Sequence, residues 1–277
     1  MSRANKVWFI TGASSGFGRA FAEHAIEQGY KVVIGARRTD KLQEIVNLAP
    51  ERVLAVGLDV NDPEQVSGAA EATVKHFGSL DVLINNAGYG IVGALEETSD
   101  QDLRALMETN FFGAIAMTRA FLPTLRSQRS GAIVNISSLG GQLSFAGFGA
   151  YSASKFALEG ASEALAAEMK PFGVKVLIVE PGAFRTELAG PAMKHMPEID
   201  AYSETVGGTR KFARAMDATQ QGDPRKAAKA IEQALEAAET PLRLQLGDDA
   251  VKAVRTHAET LLGDLAKWER IALNTRF

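Results

Sequence analysis

The chain has 277 residues, of which 46% are hydrophobic, and this length allows one large buried core at the upper end of single-domain size. Its net charge of -3 gives no strong field of either sign, which argues against a nucleic-acid or acidic-membrane partner and favours a small-molecule ligand. The absence of cysteine excludes disulfides and thiolate chemistry, and the four histidines lack metal-ligand spacing, so no metal site is expected.

The N-terminal sequence MSRANKVWFITG runs directly into an apolar strand and shows no apolar core of a signal peptide. No apolar run approaches the roughly 18 residues that a membrane span needs. We therefore expect a soluble, cytoplasmic protein with no membrane partner.

Short apolar runs recur along the chain with room for a helix between them. They begin at residues 7, 32, 53, 82, 132 and 174, and their Val, Ile and Leu content is typical of parallel strands buried on both faces. Helical patterns lie between these runs, at 18–29, 40–48, 62–77, 99–125 and 151–170. The alternation predicts a single domain over 1–277, an α/β fold with a doubly wound parallel sheet and helices on both faces.

A glycine-rich loop, TGASSGFG, follows the first apolar run. Gly12, Gly16 and Gly18 suit a turn with unusual backbone angles, close approach to a pyrophosphate, and tight packing of helix on strand. Exposed N–H groups at the start of the next helix would bind phosphate oxygens, and Ser14 and Ser15 would add hydroxyl donors. The pattern predicts a dinucleotide site, and the alternative is an ordinary tight turn.

The residue after the second apolar run indicates which dinucleotide is bound. In dinucleotide-binding folds an acid there accepts the ribose 2′-OH, whereas a basic residue accommodates a 2′-phosphate. Here Ala36 stands in place of the acid and is followed by Arg37 and Arg38, whose guanidinium groups suit phosphate. We predict NADP(H) as the preferred cofactor, with NAD(H) as a second possibility. Alternatively, the arginines are solvated beside a helix start, or Asp40 pairs with Arg37.

Tyr151 and Lys155 lie four residues apart in the helical run AYSASKFALEG and therefore share one helix face. An ammonium near a phenol favours the phenolate, so Lys155 is expected to lower the pKa of Tyr151 and to make it a proton donor or acceptor near neutral pH. The structural alternative is a half-buried tyrosine beside a solvated lysine.

The preceding run, AIVNI, delivers Ser137 and Ser138 at its C-terminal end, the edge where α/β sheets place chemistry. A Ser138 hydroxyl there could donate to a carbonyl oxygen alongside the Tyr151 hydroxyl, as two donors for developing negative charge. The alternative is a turn hydroxyl that binds its own backbone.

Six motifs occur together in the order and spacing of one protein family. They are TGASSGFG at 11–18, NNAG at 85–88, Asn110, NISS at 135–138, YSASK at 151–155 and EPGAFRT at 180–186. With them the chain resembles the short-chain dehydrogenase/reductase family, densely over 5–190 and thinly beyond. The resemblance implies a Rossmann fold with seven parallel strands in the order 3-2-1-4-5-6-7. It also implies an enzyme that interconverts a carbonyl and a secondary alcohol, as a homodimer or homotetramer.

The resemblance further implies roles for single residues. Tyr151 would be the general acid in reduction, and Ser138 would orient and polarise the carbonyl. Lys155 would lower the pKa of Tyr151 and bind the nicotinamide ribose, and Asn110 would hold a water that relays protons to Lys155. Hydride would come from the cofactor, without a metal. The expected cofactor contacts are Gly12, Ser14, Ser15, Gly16, Phe17, Gly18, Arg37, Arg38, Asp59, Val60, Asn86, Ala87, Gly88, Tyr151, Lys155, Pro181, Gly182 and Thr186.

One position departs from the family pattern. NADP(H)-preferring members often carry a basic residue inside the glycine loop, where this chain has the neutral Ser15. The preference for NADP(H) therefore depends on Arg37 and Arg38. A second interpretation of the whole chain is a sensor that binds NADP(H) without turnover, but relatives of that kind have typically lost the Tyr or Lys that this chain retains.

Residues 183–222 break the alternation of strand and helix, with Pro, Gly and three Met among helix formers. An insertion after a strand's C-terminal end is where α/β folds place a substrate lid, and the alternative is a loosely structured surface connection. Six apolar residues are expected to line a cleft for an apolar or aromatic ketone. They are Phe145, Phe148, Phe184, Leu188, Met193 and Met196.

The C-terminal part resumes with a helix over 223–239, an alternating run LRLQLG at 242–247 that predicts an edge strand, and a helical extension over 248–277. An apolar stripe on this extension consists of Val251, Val254, Leu261, Leu262, Leu265 and Trp268. We expect the stripe to pack on its own domain, and the alternative is an interaction element that would affect the family's usual interfaces.

Overall fold

The computed structural model describes residues 3–216 and 219–275 and is built on a seven-stranded parallel sheet. The strands in chain order are β1 (Val7–Thr11), β2 (Lys31–Ala36), β3 (Val53–Gly57), β4 (Val82–Asn85), β5 (Gly90–Val92), β6 (Gly131–Ile136), β7 (Val174–Pro181), β8 (Met193–His195) and β9 (Arg243–Leu246). The large sheet has the order β3-β2-β1-β4-β6-β7-β9, while β5 and β8 pair separately. Counted along the large sheet alone, this is 3-2-1-4-5-6-7, so the predicted fold and edge strand are confirmed.

Helices cover both faces of this sheet. They are α1 (Gly16–Glu27), α2 (Leu42–Val46), α3 (Pro63–Phe77), α4 (Asp100–Met107), α5 (Gly113–Gln128), α6 (Gly149–Met169), α7 (Ser203–Ala215), α8 (Pro224–Glu236) and α9 (Asp248–Leu273). Short 3-10 turns occur at Arg3–Asn5, Leu139–Gly141, Lys170–Phe172, Glu187–Ala189 and Asp200–Tyr202. None of the described helices combines the length and apolar content that crossing a lipid bilayer requires.

Local sequence signals fix several helix ends, and α3 is the clearest case. Asp62 precedes the helix and its carboxylate accepts hydrogen bonds from the backbone N–H groups of Glu64 and Gln65. Pro63 occupies the first turn, where its missing N–H costs nothing. Gly78 ends the helix with φ of 79°, a left-handed conformation that favours glycine.

The core lies on both sides of the sheet because successive residues of a strand point to opposite faces. In β1, Trp8 and Ile10 belong to the cluster beneath α1 and α8, while Val7 and Phe9 belong to the cluster beneath α3 and α5. The ring of Phe9 lies 5.3 Å from that of Phe121 in α5. This two-sided burial explains the continuous apolar runs of the sequence.

The helical region predicted at 99–125 is interrupted by a π-helical turn over Glu108–Phe112, between α4 and α5. Such turns insert one extra residue and recur at functional sites. Asn110 lies in this turn with its side chain buried, and its amide donates to the Ser154 hydroxyl of α6 at 3.0 Å. The turn therefore aims Asn110 at the helix that carries Tyr151 and Lys155.

The described part of the 183–222 segment has regular structure, in β8 and α7, instead of a loose surface connection. A buried ion pair between Arg210 of α7 and Glu97, at 2.5 Å, fixes this segment to the body of the domain. The Glu97 carboxylate also accepts hydrogen bonds from the backbone N–H groups of Ala94 and Ile199. The insertion therefore has its own anchor, and its role as a lid stays a prediction.

The expectation that the C-terminal apolar stripe packs on its own domain is wrong. Of α9, only Ala250 is buried, and Leu261, Leu265 and Trp268 are each more than half exposed. The physical reason is the direction of α9, which projects from the body so that Val254 and His257 are half-buried and every residue from Ala258 to Leu273 is exposed.

Replacing Arg210 with Met should destabilise the fold by about 3–5 kcal/mol, because it leaves the Glu97 carboxylate buried without its cation. Urea denaturation measures this change. The matched control is Arg214→Met, which removes an exposed partner of Glu198 and should cost at most about 1 kcal/mol. Equal losses in the two variants would contradict the anchoring role of the buried pair.

Candidate active site

A cleft of about 1150 Å³ runs along the C-terminal edge of the sheet. Its walls come from the segments that follow β1, β2, β3, β4, β6 and β7, the edge where ligands bind in open α/β sheets. It brings together all the predicted cofactor contacts except Gly18, and three of the four predicted catalytic residues. The predicted residues that line it are Gly12, Ser14, Ser15, Gly16, Phe17, Arg37, Arg38, Asp59, Val60, Asn86, Ala87, Gly88, Ser138, Tyr151, Lys155, Pro181, Gly182 and Thr186.

The glycine loop has the backbone that the sequence predicted. Gly12 and Gly16 have φ of 67° and 54°, in the left-handed region where a side chain is strained. Gly18 does not line the cleft, because it packs α1 against the carbonyl of Gly12 and the amide of Asn86. Of the three glycines, two therefore form the cleft wall and one brings helix and strand into close contact.

Helix α1 begins at this loop, and no side chain caps its first backbone N–H groups. Ser15 occupies the N-cap position with extended backbone, and its hydroxyl makes no capping hydrogen bond. The first N–H groups of the helix and the dipole thus suit an anion. Thr186 lies directly over Gly16, where an added Cβ would be 3.2 Å from the Thr186 Cβ. The loop and the start of the 183–222 insertion therefore form one enclosed end of the cleft.

Asn86 holds the glycine loop in place. Its side-chain amide nitrogen donates to the backbone carbonyls of Thr11 and Gly12 at 2.9 and 3.3 Å. Its backbone N–H donates to the Thr11 hydroxyl at 2.9 Å. An added Cβ on Gly12 would approach the Ala87 Cα to 2.9 Å. The NNAG motif thus sets the shape of the loop in addition to lining the cleft.

Both arginines after β2 line the cleft, and Arg38 lies beside the glycine loop. The Arg38 guanidinium donates to the hydroxyls of Ser14 and Ser15, each at 3.1 Å, and lies 3.3 Å from the Glu187 carboxylate. Arg37 is exposed, and no contact with Asp40 or any other described residue holds its guanidinium. The pairing of Arg37 with Asp40 is therefore not observed in the described chain.

Tyr151 and Lys155 share one face of α6, as the spacing predicted, and both are buried. The Lys155 ammonium donates to the backbone carbonyl of Ile136 at 2.9 Å, and it lies 5.8 Å from the centre of the Tyr151 ring. A lysine held by a carbonyl at the end of β6 is a fixed cation at the base of the cleft. The alternative of a solvated lysine is thereby overturned.

The pKa directions differ from the sequence expectation. Burial raises the pKa of Tyr151, and the Ser138 hydroxyl opposes this only in part. Burial lowers the pKa of Lys155 to about 8, against the effect of the Glu159 carboxylate. Desolvation therefore sets the pKa direction of both groups, and the expected lowering of the Tyr151 pKa is not found, while the Lys155 ammonium is directed to the Ile136 carbonyl.

Ser138 follows β6 and lies beside Tyr151, where its hydroxyl acts to lower the pKa of the phenol. Its oxygen accepts a hydrogen bond from the Gly140 N–H at 3.0 Å, which is the turn contact considered as the alternative. A hydroxyl that accepts through its oxygen keeps its proton to donate. The turn contact therefore orients Ser138 and leaves it able to donate into the cleft.

Asn110 lies behind the cleft and does not line it. Its side-chain oxygen accepts from the Tyr89 N–H at 3.1 Å, and its amide nitrogen donates to the Tyr89 carbonyl and to Ser154, each at 3.0 Å. An added Cβ on Gly88 would lie 2.9 Å from the Asn110 Oδ1 and 3.8 Å from the Lys155 Nζ. The side chain therefore positions the loop at Gly88, and a water relay would have to use other atoms of this turn.

A buried acidic cluster behind Lys155 was missed from the sequence. Glu159 of α6 and Glu180 of β7 are both fully enclosed and share the Gln142 amide as donor, at 2.7 and 3.2 Å. Arg243 of β9 lies 2.9 Å from Glu159, and the Ser137 hydroxyl donates to Glu159 at 2.8 Å. The i, i+4 spacing of Lys155 and Glu159 was a signal that could have found it.

The cleft is more polar than expected. Phe184, Leu188 and Met193 line it, but Phe148 and Met196 belong to a buried cluster with Tyr151, and Phe145 is exposed away from the cleft. The prediction was wrong for these last three, because the sequence does not show which side chains of a segment face the cleft and which pack in the core or face solvent. Polar lining residues that the sequence analysis missed are Asn61, Tyr89, Thr109, Lys194, His195 and Gln220.

Glu180→Gln should stabilise the fold more at pH 8 than at pH 5. Burial and the nearby Glu159 carboxylate raise the pKa of Glu180 to about 7. The stability that a carboxyl with a raised pKa contributes is fully present below its pKa in the unfolded chain, and it is lost as pH rises through about 7. The amide of the glutamine variant does not titrate and avoids that loss. Urea denaturation should show a difference of about 2 kcal/mol between the two pH values.

The matched control for this prediction is Glu163→Gln, which removes an exposed carboxylate from the same Arg243 at 2.7 Å. Its effect on stability should be nearly the same at pH 5 and pH 8, because the solvent screens that carboxylate. A Glu180→Gln effect that is also independent of pH would contradict the titration of the buried pair.

Comparison with known proteins agrees with the geometry of the cleft. Residues 6–197 match the family model of the short chain dehydrogenase. The chain is 40% identical over 269 residues to Oxidoreductase BOA17 of Botryotinia fuckeliana, over 97% of this chain and 98% of that relative. It is 50% identical to a structurally determined short-chain dehydrogenase from Streptomyces avermitilis, with a TM-score of 0.94 and full coverage of both chains.

Two further solved structures contain nicotinamide dinucleotides. A short chain dehydrogenase/reductase from Burkholderia phymatum in complex with NAD is 27% identical, with a TM-score of 0.84 over 95% of this chain and 96% of that one. A short chain dehydrogenase from Burkholderia cenocepacia in complex with NADP is 29% identical, with a TM-score of 0.76 over 96% and 98%. With this match in sequence, fold and cleft, the chain belongs to the short-chain dehydrogenase/reductase family of NAD(P)-dependent oxidoreductases, which act on CH–OH and C=O groups.

Proposed function

We propose that this protein is an NADP(H)-dependent oxidoreductase that interconverts a ketone and a secondary alcohol, with Tyr151 as the general acid and base. The observation that carries the proposal is the placement of two hydroxyls, Tyr151 and Ser138, beside the buried Lys155 in the same cleft as the glycine loop. The apolar residues Phe184, Leu188 and Met193 favour a substrate with an apolar or aromatic part.

The chain's own residues suit a dinucleotide. Left-handed glycines allow close approach at one end of the cleft, and the uncapped start of α1 offers donors to a pyrophosphate. Asp59 and Val60 also line the cleft, as do Asn86, Ala87 and Gly88 of the NNAG motif. When bound there, the nicotinamide supplies or accepts hydride.

Proton transfer falls to the residues after β6 and in α6. In reduction, the Tyr151 hydroxyl gives its proton to the carbonyl oxygen as the carbon gains hydride, and oxidation reverses both transfers. Ser138 donates a second hydrogen bond to the same oxygen and stabilises its developing charge. In this proposal Lys155, whose ammonium lies 5.8 Å from the centre of the Tyr151 ring, is the cation that favours the tyrosinate that remains, and Asn110 keeps the Gly88 loop beside it.

The choice of NADP(H) over NAD(H) is supported by the charges at the mouth of the cleft. Ala36 at the end of β2 offers no carboxylate to repel a 2′-phosphate, and Arg37 and Arg38 follow it. Arg38 is already held against the hydroxyls of Ser14 and Ser15, so its guanidinium is oriented before a ligand arrives. Assembly as a homodimer or homotetramer and closure of the 183–222 segment as a lid also stay predictions.

Tyr151→Phe should lower the turnover of NADPH with a reactive ketone by about 10²- to 10⁴-fold, because it removes the proton donor and retains the ring. The measurement is steady-state oxidation of NADPH against a panel of ketones, aldehydes and diketones. NADPH binding by fluorescence titration should stay within a few-fold of wild type. The matched control, Tyr202→Phe, removes a phenol that binds Glu96 outside the cleft and should keep wild-type turnover.

Full turnover by Tyr151→Phe would refute the acid role of this residue. Tight NADPH binding by the wild-type protein without turnover of any compound in a broad panel would count against the reductase and favour a dinucleotide sensor. The two results are distinguishable because cofactor binding is measured separately from turnover.

Arg37→Ala and Arg38→Ala should each raise KM for NADPH by about 10- to 100-fold and change KM for NADH little, because only NADPH carries the extra phosphate. Steady-state kinetics with both cofactors measures this selectivity. Lys41→Ala is the control for a general loss of positive charge, since Lys41 is exposed nearby but does not line the cleft. Equal effects on NADPH and NADH would contradict a phosphate contact.

A further inference from the structure

The exposed helix α9 carries an apolar pattern that its own domain does not use. Apolar residues recur along it at alternating spacings of three and four, which is the heptad pattern of helices that pair with other helices. They are Val251, Val254, Ala258, Leu261, Leu265, Trp268 and Ala272. We call these seven residues the α9 seam. Over its span the seam is about 33 Å long, at 1.5 Å per residue.

The seam is exposed to an extent unusual for such residues. Leu261, Leu265 and Trp268 are 57%, 64% and 62% exposed. Leu262 and Ile271 flank the seam and are also more than half exposed. An apolar face that runs along a helix and is exposed on a single chain is typical of a surface that a partner covers.

The first turn of α9 is bonded to the body of the domain. Asp249 in its first turn accepts a hydrogen bond from the Ala183 N–H at 2.7 Å, and its carboxylate packs against Gly182 and Gly247. The direction in which α9 projects is therefore fixed by the loop after β7. A helix held in this way loses little conformational freedom when a partner binds.

The charges beside the seam indicate what covers it. In the heptad, Arg255 and His257 flank the first half of the seam, while Asp264 and Glu269 flank the second half. A parallel copy of the helix would place Asp264 next to the partner's Glu269, and like charges repel. An antiparallel copy instead brings the basic half of each helix beside the acidic half of the other.

We propose that the α9 helices of two copies of this chain pair antiparallel through the α9 seam and form the subunit contact of an oligomer. The antiparallel arrangement puts the two domains at opposite ends of the paired helices, so their bodies do not compete for the same space. Small Ala258 and Ala272 allow room for large side chains such as Trp268 across the interface. This contact does not depend on the proposed catalytic function.

The first experiment is sedimentation equilibrium of the full chain with Leu261→Glu and Leu265→Glu combined. Two charges in the seam should halve the particle mass at micromolar concentration, or weaken association by at least roughly 100-fold, because the apolar contact is lost. The charge-matched control combines Thr256→Glu and Thr260→Glu, on the outer side of α9, and should keep the wild-type mass. Circular dichroism and thermal melting verify that both variants stay folded. An unchanged mass in the seam variant, or a monomeric wild-type protein, would overturn the proposal.

A charge exchange tests the direction of pairing. Arg255→Glu alone should weaken association by roughly tenfold, because it places two negative charges beside the partner's acidic half. Combining it with Glu269→Arg should restore the wild-type association constant to within about twofold, since the exchanged charges again attract. Failure of the double variant to restore association would refute antiparallel pairing. Evidence that the α9 seam binds the body of the second copy, instead of its α9 helix, would refute it as well.

Discussion

The site depends on the parallel pairing of β4 and β6, which fixes where two loops leave the sheet. Asn85 and Asn135 are directly paired residues of these strands, and the Asn85 amide donates to the Asn135 side-chain oxygen at 2.8 Å. Asn135 in turn donates to Ser162 of α6 at 2.7 Å, and Asn85 donates to Thr118 of α5 at 3.0 Å. A one-residue slip would leave these buried amides without partners, so the network holds one register.

The consequence of that register is a constant spacing between the NNAG loop and the serines after β6. Lys155 makes this spacing chemically useful, because its ammonium binds the Ile136 carbonyl at the end of β6 and also lies close to Gly88. Burial disfavours the charge on this lysine, and the Glu159 carboxylate one turn along α6 compensates in part. The electrostatics of the cleft therefore extend through Glu159 to Glu180 and Arg243, well beyond the residues that face the cleft.

The C-terminal third of the chain adapts this common core. Its 183–222 segment contributes the polar wall that includes Lys194 and His195, and a buried ion pair between Glu97 and Arg210 holds it to the domain. The loop after β7 is also supported by Asp249 at the base of α9. Thus the segments after β7 are attached both to the body of the domain and to the loop that lines the cleft.

The sequence by itself determined the fold class, the strand order through family resemblance, and the cleft residues Gly12, Gly16, Tyr151 and Lys155, because periodicity and short motifs are local properties of the chain. It did not give the pKa direction of Tyr151, which burial decides, nor the side-chain partners of Asn110, which the π-helical turn sets. It also missed the contact of Glu159 with Glu180 and the exposure of α9. Only the tertiary structure decided these features, because each depends on which residues distant in sequence come together and on how much water they exclude.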